Sequence, residues 1–287
     1  MSNTNVNINA EFKLSTKSNK ILYYINCGFV GLFVILTLLM KFGVIPNKEF
    51  IQFIPMFIFA FVHGSQKYGA KNMGIWFVIT WIVSNFFEGL SISIGFPFGN
   101  YHYTMGGPRI WNVPVLIMVA YFAIVYTSWI AALAVTNHLN KKIEGIYKFT
   151  IPLTAAIVMT MWDLITDPKA STLKGSWVWK DGGAFYGVPI SNFIGWVFVV
   201  YVFLQIFTLY ISVREVKAEN IDLTTTKSYW VQPCIVYLFM GLGIVIDGIT
   251  HATNVEIYAS AGMISIFTMV FTAYIGFLNI KNSKELS

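Results

Sequence analysis

Four carboxyl groups and one histidine lie within, or at the ends of, stretches that are otherwise apolar: Glu88, Asp163, Asp167, Asp247 and His251. Asp163 and Asp167 are four residues apart, as are Asp247 and His251, so each pair shares one face of a helix. An ionised carboxylate in such a setting is costly and usually serves a function. No lysine or arginine lies at matching depth, and unpaired buried carboxyl groups tend to stay protonated. These residues therefore predict general acid–base chemistry.

Two aromatic, glycine-rich motifs follow two of these acids. The segment "YHYTMGG" (101–107) matches "WVWKDGG" (177–183), and each reaches Val-Pro shortly afterwards, at 113–114 and 188–189. Glu88 lies 13 residues before the first motif, and Asp163 lies 14 before the second. We interpret this as two similar helix-loop-helix repeats, which place sites at their interface. The repeats predict substrate-binding side chains at Tyr101, Tyr103, Trp177, Trp179 and Tyr186.

The elements that must position these residues are membrane helices. The chain is 56% hydrophobic and only 11% charged, with a mean hydropathy of +0.64. Its apolar runs are long enough to cross a hydrocarbon core of about 30 Å. We predict an all-α, polytopic transmembrane bundle of seven or eight helices, with spans near 21–42, 48–66, 73–95, 112–136, 149–166, 187–212, 229–249 and 255–280.

The distribution of positive residues predicts the orientation. With eight spans, 13 of the 19 Lys and Arg residues fall on the side of the two termini. Because positive residues favour the cytoplasm, we expect both termini there, in a bacterial or archaeal cytoplasmic membrane, with the acids toward the outer leaflet. The expected organisation is a disordered tail (1–20), one membrane domain (21–280) and a short tail (281–287).

Several functions are disfavoured. The net charge of +6 comes from residues scattered between apolar spans, so we do not expect nucleic acid as a partner. We find no P-loop, no dinucleotide fingerprint and no Cys/His cluster with metal-ligand spacing, and Cys27 and Cys234 are expected to be packing residues. We therefore expect no metal and no cofactor.

Three segments resemble one known family: "EGLSISIGFPFGNYHYT", "GGPRIWNVPV" and "GSWVWKDGGAFYGVPISNFIGW". They are similar to the integral-membrane carotenoid biosynthesis proteins, which include γ-carotene 1′-hydratases and bisanhydrobacterioruberin hydratases. The resemblance runs from about residue 75 to 280. It implies addition of water across the terminal double bond of an acyclic carotenoid, giving a tertiary alcohol without a redox cofactor. The partners implied are a lipid-soluble carotenoid or other isoprenoid, and membrane lipid.

The acids and aromatic rings fit such a hydration. We expect Glu88 or Asp163 to protonate the alkene, and the aromatic rings to stabilise the tertiary cation. Asp247 with His251 is the expected general base for the attacking water. Asn192 is a candidate to hold that water, and Asp167 is expected to line the same pocket.

Two alternatives stay open. Asp163-x-x-x-Asp167 is compatible with a Mg²⁺–diphosphate site, which would make the protein a prenyltransferase or terpene cyclase; a proton-initiated, metal-free cyclase would share the acid mechanism. A proton-coupled transporter or a carotenoid-binding protein would also carry intramembrane carboxylates.

Overall fold

The computed structural model describes residues 8–46, 50–214, 221–251 and 255–287, with the backbone alone at 8–19, 50, 221 and 222. The helices are α1 (Ile8–Lys41), α2 (Phe50–Tyr68), α3 (Ala70–Ile94), α4 (Val115–Val135), α5 (Tyr147–Asp167), α6 (Ile190–Ser212), α7 (Ile221–Thr224), α8 (Lys227–Thr250), α9 (Val255–Ser265) and α10 (Phe271–Asn282). A π-helical turn, Pro168–Leu173, extends α5, and another, Ile266–Val270, joins α9 to α10.

The predicted all-α membrane bundle is confirmed. Within the described residues, seven helical segments are long and apolar enough to cross a membrane: Lys20–Lys41, Ala70–Ile94, Val115–Val135, Tyr147–Leu173, Ile190–Ser212, Lys227–Thr250 and Val255–Asn282. Helix α2, the predicted span 48–66, is not among these seven; it contains Pro55 and ends in the polar segment "HGSQKY". The predicted tail, residues 1–20, lies almost wholly outside the residues described with side chains and stays a prediction.

Helix α4 forms the centre of the bundle. Residues 120–134 of this helix are buried on every face, and α4 contacts α2, α3, α5, α8 and α10. A helix that is apolar all round is expected in such a central position. Small residues in "IAALA" (130–134) let its neighbours approach closely. The bundle therefore packs around α4, and the outer helices direct Ile, Leu and Phe side chains outward.

The two repeated motifs pair with each other. Strand β1 (Tyr101–Tyr103) and strand β4 (Trp177–Trp179) form an antiparallel pair, with Tyr101 opposite Trp179 and Tyr103 opposite Trp177. A second pair, β2 (Arg109–Ile110) and β3 (Val113–Pro114), leads into α4. The similarity between the two loops thus corresponds to a direct contact between the two repeats.

Glycine and proline fix the chain around these strands. Helix α3 ends at Gly95, which has a left-handed backbone (φ 82°) that favours glycine. At Gly183 a Cβ atom would lie 1.9 Å from the carbonyl carbon of Val188, so a residue without a side chain is required. Pro114 and Pro189 are the N-cap residues of α4 and α6, directly before the first helical turn.

Candidate functional site

A cavity of about 120 Å³ lies beneath the paired strands, between the C-terminal ends of α3 and α5 and the N-terminal ends of α4 and α6. Three of the predicted acids line it: Glu88, Asp163 and Asp167. Asn192 and the aromatic residues of both strands line it as well, namely Tyr101, Tyr103, Trp177 and Trp179. Most predicted site residues, from two distant segments, therefore meet in one cavity.

Glu88 is held by three tyrosines. The hydroxyls of Tyr101 and Tyr103 donate to Glu88 Oε2, the latter at 3.0 Å. Tyr121 of α4 donates to Oε1 at 2.6 Å. The Glu88 side chain is buried at the cavity wall, and these three hydroxyls fix the position of its carboxyl group. A carboxyl group held in this way can exchange a proton with a molecule bound in the cavity.

Asp163 and Asp167 form a second cluster. One amide nitrogen, Nδ2 of Asn192, donates to Oδ2 of Asp163 at 2.8 Å and to Oδ2 of Asp167 at 2.6 Å. The indole N–H of Trp177 donates to the other oxygen of Asp167 at 2.8 Å. The shared face predicted for the two aspartates is confirmed. Two carboxyl groups that share one donor repel each other when both are charged, which favours a proton on one member of the pair.

The two strands connect the clusters. Tyr103, bound to Glu88, lies opposite Trp177, bound to Asp167, and their ring centroids are 6.0 Å apart. Burial, and then the charge of Glu88, raise the pKa of the Tyr103 phenol well above its usual value. Tyr103 therefore stays a hydrogen-bond donor throughout the physiological pH range.

The sequence did not single out part of the aromatic wall. Tyr121 stacks on Trp196 of α6, with ring centroids 4.7 Å apart and planes within 3° of parallel. Trp162 lies edge-on to Trp196 at 6.2 Å. All three line the cavity. Aromatic residues are common throughout this chain, so their spacing alone gave no signal; Trp162, directly before Asp163, and Trp196, four residues after Asn192, could have been found by proximity.

Asp247 corrects one expectation. It was expected to lack a cationic partner, yet its Oδ2 lies 2.6 Å from Nζ of Lys41 and 2.8 Å from Nζ of Lys169. Lys169 lies beyond the predicted span 149–166, but the π-helical turn extends α5 and carries this lysine into the bundle, where it is 3% exposed. Lys41, at the end of α1, is also buried. The two lysines line the cavity in front of Asp247.

Two predicted site residues lie away from the cavity. The His251 ring lies near the backbone oxygen of Asp247, not its carboxylate, and stacks on Tyr258 at 4.8 Å. The hydroxyl of Tyr186 contacts Ser260 on α9. Asp247 and His251, the expected general base, therefore do not line the cavity with Glu88, Asp163 and Asp167. Lys41 and Lys169 bind Asp247 at the cavity wall, and the His251 ring packs on Tyr258.

The comparison with known families agrees with the geometry. The sequence model of a family described as carotenoid biosynthesis protein matches residues 49–270, which include both motifs and every residue of the two acid clusters. The chain belongs to the carotenoid biosynthesis protein family. A role in carotenoid biosynthesis follows for this membrane protein. No curated protein and no solved structure matches the chain. Lys41 lies outside the residues that the carotenoid biosynthesis family model matches.

Proposed function

We propose that this carotenoid biosynthesis protein is a hydratase, which adds water across the terminal double bond of an acyclic carotenoid. The observation that carries the proposal is the pair of acid clusters on one aromatic-walled cavity. One cluster, Asp163 and Asp167, has the arrangement of a proton donor, and the other, Glu88 with its tyrosines, has that of a proton acceptor. Addition of water to an alkene requires both functions close together.

The first step is protonation. The proton held by the Asp163–Asp167 pair forms a C–H bond at the less substituted carbon of the terminal alkene, and the π bond breaks. The tertiary carbocation that results has its charge on the neighbouring carbon. The faces of Tyr121, Trp162 and Trp196 lie around the cavity and attract positive charge.

The second step forms the alcohol. A water molecule attacks the cation, a C–O bond forms, and the oxonium proton passes to the Glu88 carboxylate. Return of this proton to the Asp163–Asp167 pair restores the starting state, so the net reaction consumes one alkene and one water molecule. This assignment places the proton acceptor at Glu88, in preference to Asp247 with His251, because Glu88 lines the cavity and those two do not.

The size of the cavity fits one end of a long substrate. Pockets that enclose a drug-sized ligand measure about 300–1,000 Å³, whereas this cavity measures about 120 Å³. Part of its wall is apolar and includes Phe53, Met56, Ile117 and Ile124. We therefore propose that the cavity holds the reacting end of the polyene and that the remaining chain lies among the membrane helices or in lipid.

The test is expression in a lycopene-accumulating bacterium, with pigments read by mass spectrometry. We expect a mass gain of one water molecule per reacting end. Asp163→Asn, Asp167→Asn and Glu88→Gln are each expected to abolish that product. Asp181→Asn, which changes an exposed acid in the loop after β4, is the matched control and is expected to keep it.

Other outcomes distinguish the alternatives. A product of unchanged mass and altered retention time would favour a proton-initiated cyclase. Unchanged lycopene and unchanged γ-carotene, with folded protein present in the membrane, would contradict the proposed hydration. The amount of each variant in the membrane fraction shows whether a lost product reflects lost chemistry or lost protein.

A further inference from the structure

The buried face of α3 carries polar groups at intervals of four residues: Trp76, Thr80, Ser84 and Glu88. The first three are fully buried, and their polar atoms make no hydrogen bond within the described part of the chain. A buried polar group without a hydrogen bond is costly, so a row of two hydroxyls and one indole N–H next to Glu88 requires an explanation.

Other hydroxyls inside the bundle behave differently. Thr127 and Thr208 are equally enclosed, and each donates to the backbone oxygen three or four residues before it. This local bond is the usual solution for a hydroxyl in a membrane helix. Thr80 and Ser84 do not make it. Their hydroxyls are therefore available to bind another molecule.

Helix α4 supplies a fourth group at the same depth. Ser128 is fully buried, and its hydroxyl makes no hydrogen bond within the described residues. It lies seven residues after Tyr121, and thus on the helix face that meets Glu88. Helices α3 and α4 cross the bundle in opposite directions. Measured along the helix axes from the level of Glu88, Ser128 therefore lies about 10 Å away and Thr80 about 12 Å away, both toward the same end of the bundle. The two helices thus present hydroxyls toward one region.

We propose that Thr80, Ser84 and Ser128 bind a short chain of ordered water molecules that ends at Glu88. Two successive hydrogen bonds of about 2.8 Å reach about 5.6 Å. Four residues of α-helix rise about 6 Å. One water molecule therefore bridges each step from Thr80 to Ser84 and from Ser84 to Glu88. Hydroxyls of two helices and a neighbouring water give each molecule the two to four partners that a buried water needs.

The chain of waters has a consequence for the reaction, and this consequence alone rests on the proposed function. Hydration consumes one water molecule at each turnover, and waters bound against Glu88 would replace it beside the proton acceptor. Glu88 lines the cavity together with Tyr101 and Tyr103, and the α3 face gives Glu88 a second contact with water.

The first test measures stability, which does not depend on any activity. Thr80→Val keeps the shape of the side chain and removes the hydroxyl, and Ser84→Ala removes the serine hydroxyl. If the hydroxyls bind water, each variant loses hydrogen bonds, and we expect the unfolding equilibrium constant in detergent to rise about threefold to tenfold. If they bind nothing, each substitution removes an unsatisfied polar group. An unchanged or lower constant would therefore overturn the proposal.

Thr127→Val and Thr208→Val are the matched controls, because they remove hydroxyls that already bond to the backbone. The second test is infrared difference spectroscopy of the purified full-length protein in H₂¹⁶O and H₂¹⁸O. We expect internal-water O–H bands that shift with the isotope in the unmodified protein and in both controls. They are expected to disappear in Thr80→Val/Ser84→Ala, and their persistence there would contradict the proposal even if hydration were established.

Discussion

Tyr103 and Trp177 lie opposite each other in the antiparallel strand pair, and each donates a hydrogen bond to a different acid. Tyr103 donates to Glu88 at 3.0 Å, and the Trp177 indole donates to Asp167 at 2.8 Å. The pairing register of β1 and β4 therefore sets the relative positions of the two acid clusters. A site assembled in this way couples the strand pair, which covers the cavity, to the chemistry beneath it.

Glu88→Gln is expected to lower the proposed hydratase activity by about 10²-fold or more, which leaves little or no detectable product, because it removes the proposed proton acceptor and keeps the size of the side chain. Tyr121→Phe is expected to lower it less, since Tyr101 and Tyr103 still bind Glu88. Initial rates in purified membranes, normalised to protein, measure both. Equal activity of Glu88→Gln and the unmodified protein would remove Glu88 from the mechanism.

Trp177→Phe is expected to lower activity about tenfold, because Asp167 loses one of its donors while the aromatic face is kept. Trp111→Phe, an exposed position outside the cavity, serves as the control and is expected to change little. The pH–rate profile is the decisive measurement, since a changed hydrogen bond at Asp167 shifts the profile. A profile identical to that of the unmodified protein would limit Trp177 to packing.

Asp247→Asn is expected to destabilise the protein by about 3–5 kcal/mol, because two buried lysines lose their shared carboxylate. Replacement of the whole cluster, Lys41→Met/Lys169→Met/Asp247→Leu, is expected to restore much of that stability, since no buried charge is left without a counter-charge. Reversible unfolding in detergent measures both variants. If the triple variant is less stable than Asp247→Asn, the cluster stabilises the bundle by more than charge compensation.

Gly183→Ala is expected to destabilise the protein by at least about 2 kcal/mol, because the new methyl group meets the backbone of Val188. Gly106→Ala is the control. Gly106 lies in the first motif, one residue before the glycine that corresponds to Gly183, and it has open space around it. Thermal unfolding in detergent compares the two. A fully stable Gly183→Ala protein would show that the loop between β4 and α6 adjusts without cost.

The predicted orientation can be tested with cysteines at two exposed lysines. In a Cys27→Ser/Cys234→Ser background, Lys180→Cys after β4 is expected to react with a membrane-impermeant maleimide in intact cells. Lys142→Cys, in the link between α4 and α5, is expected to react only after permeabilisation. This pattern follows from positive residues on the cytoplasmic side, and the reverse pattern would invert the topology.

The sequence predicted most of the residues of the site, but few of the contacts between them. Glu88, Asp163 and Asp167 stood out because carboxyl groups are rare in apolar segments, and the two aromatic motifs stood out because they repeat. Tyr121 could not be found in this way, because one tyrosine in an apolar, aromatic-rich helix has no distinguishing context. Lys169 was misplaced because Pro168 suggests a helix end, whereas the backbone continues as a π-helical turn.

By itself the sequence determined the membrane bundle, the approximate spans and the acids, because hydrophobic length and the cost of intramembrane charge act on local segments of the chain. The tertiary structure decided which acids share a cavity. It brought β1 against β4 across more than 70 residues, joined Asp163 to Asp167 through Asn192, and covered Asp247 with Lys41 and Lys169. Such contacts depend on how helices pack and on which way each side chain points, and neither is encoded in the spacing of one segment.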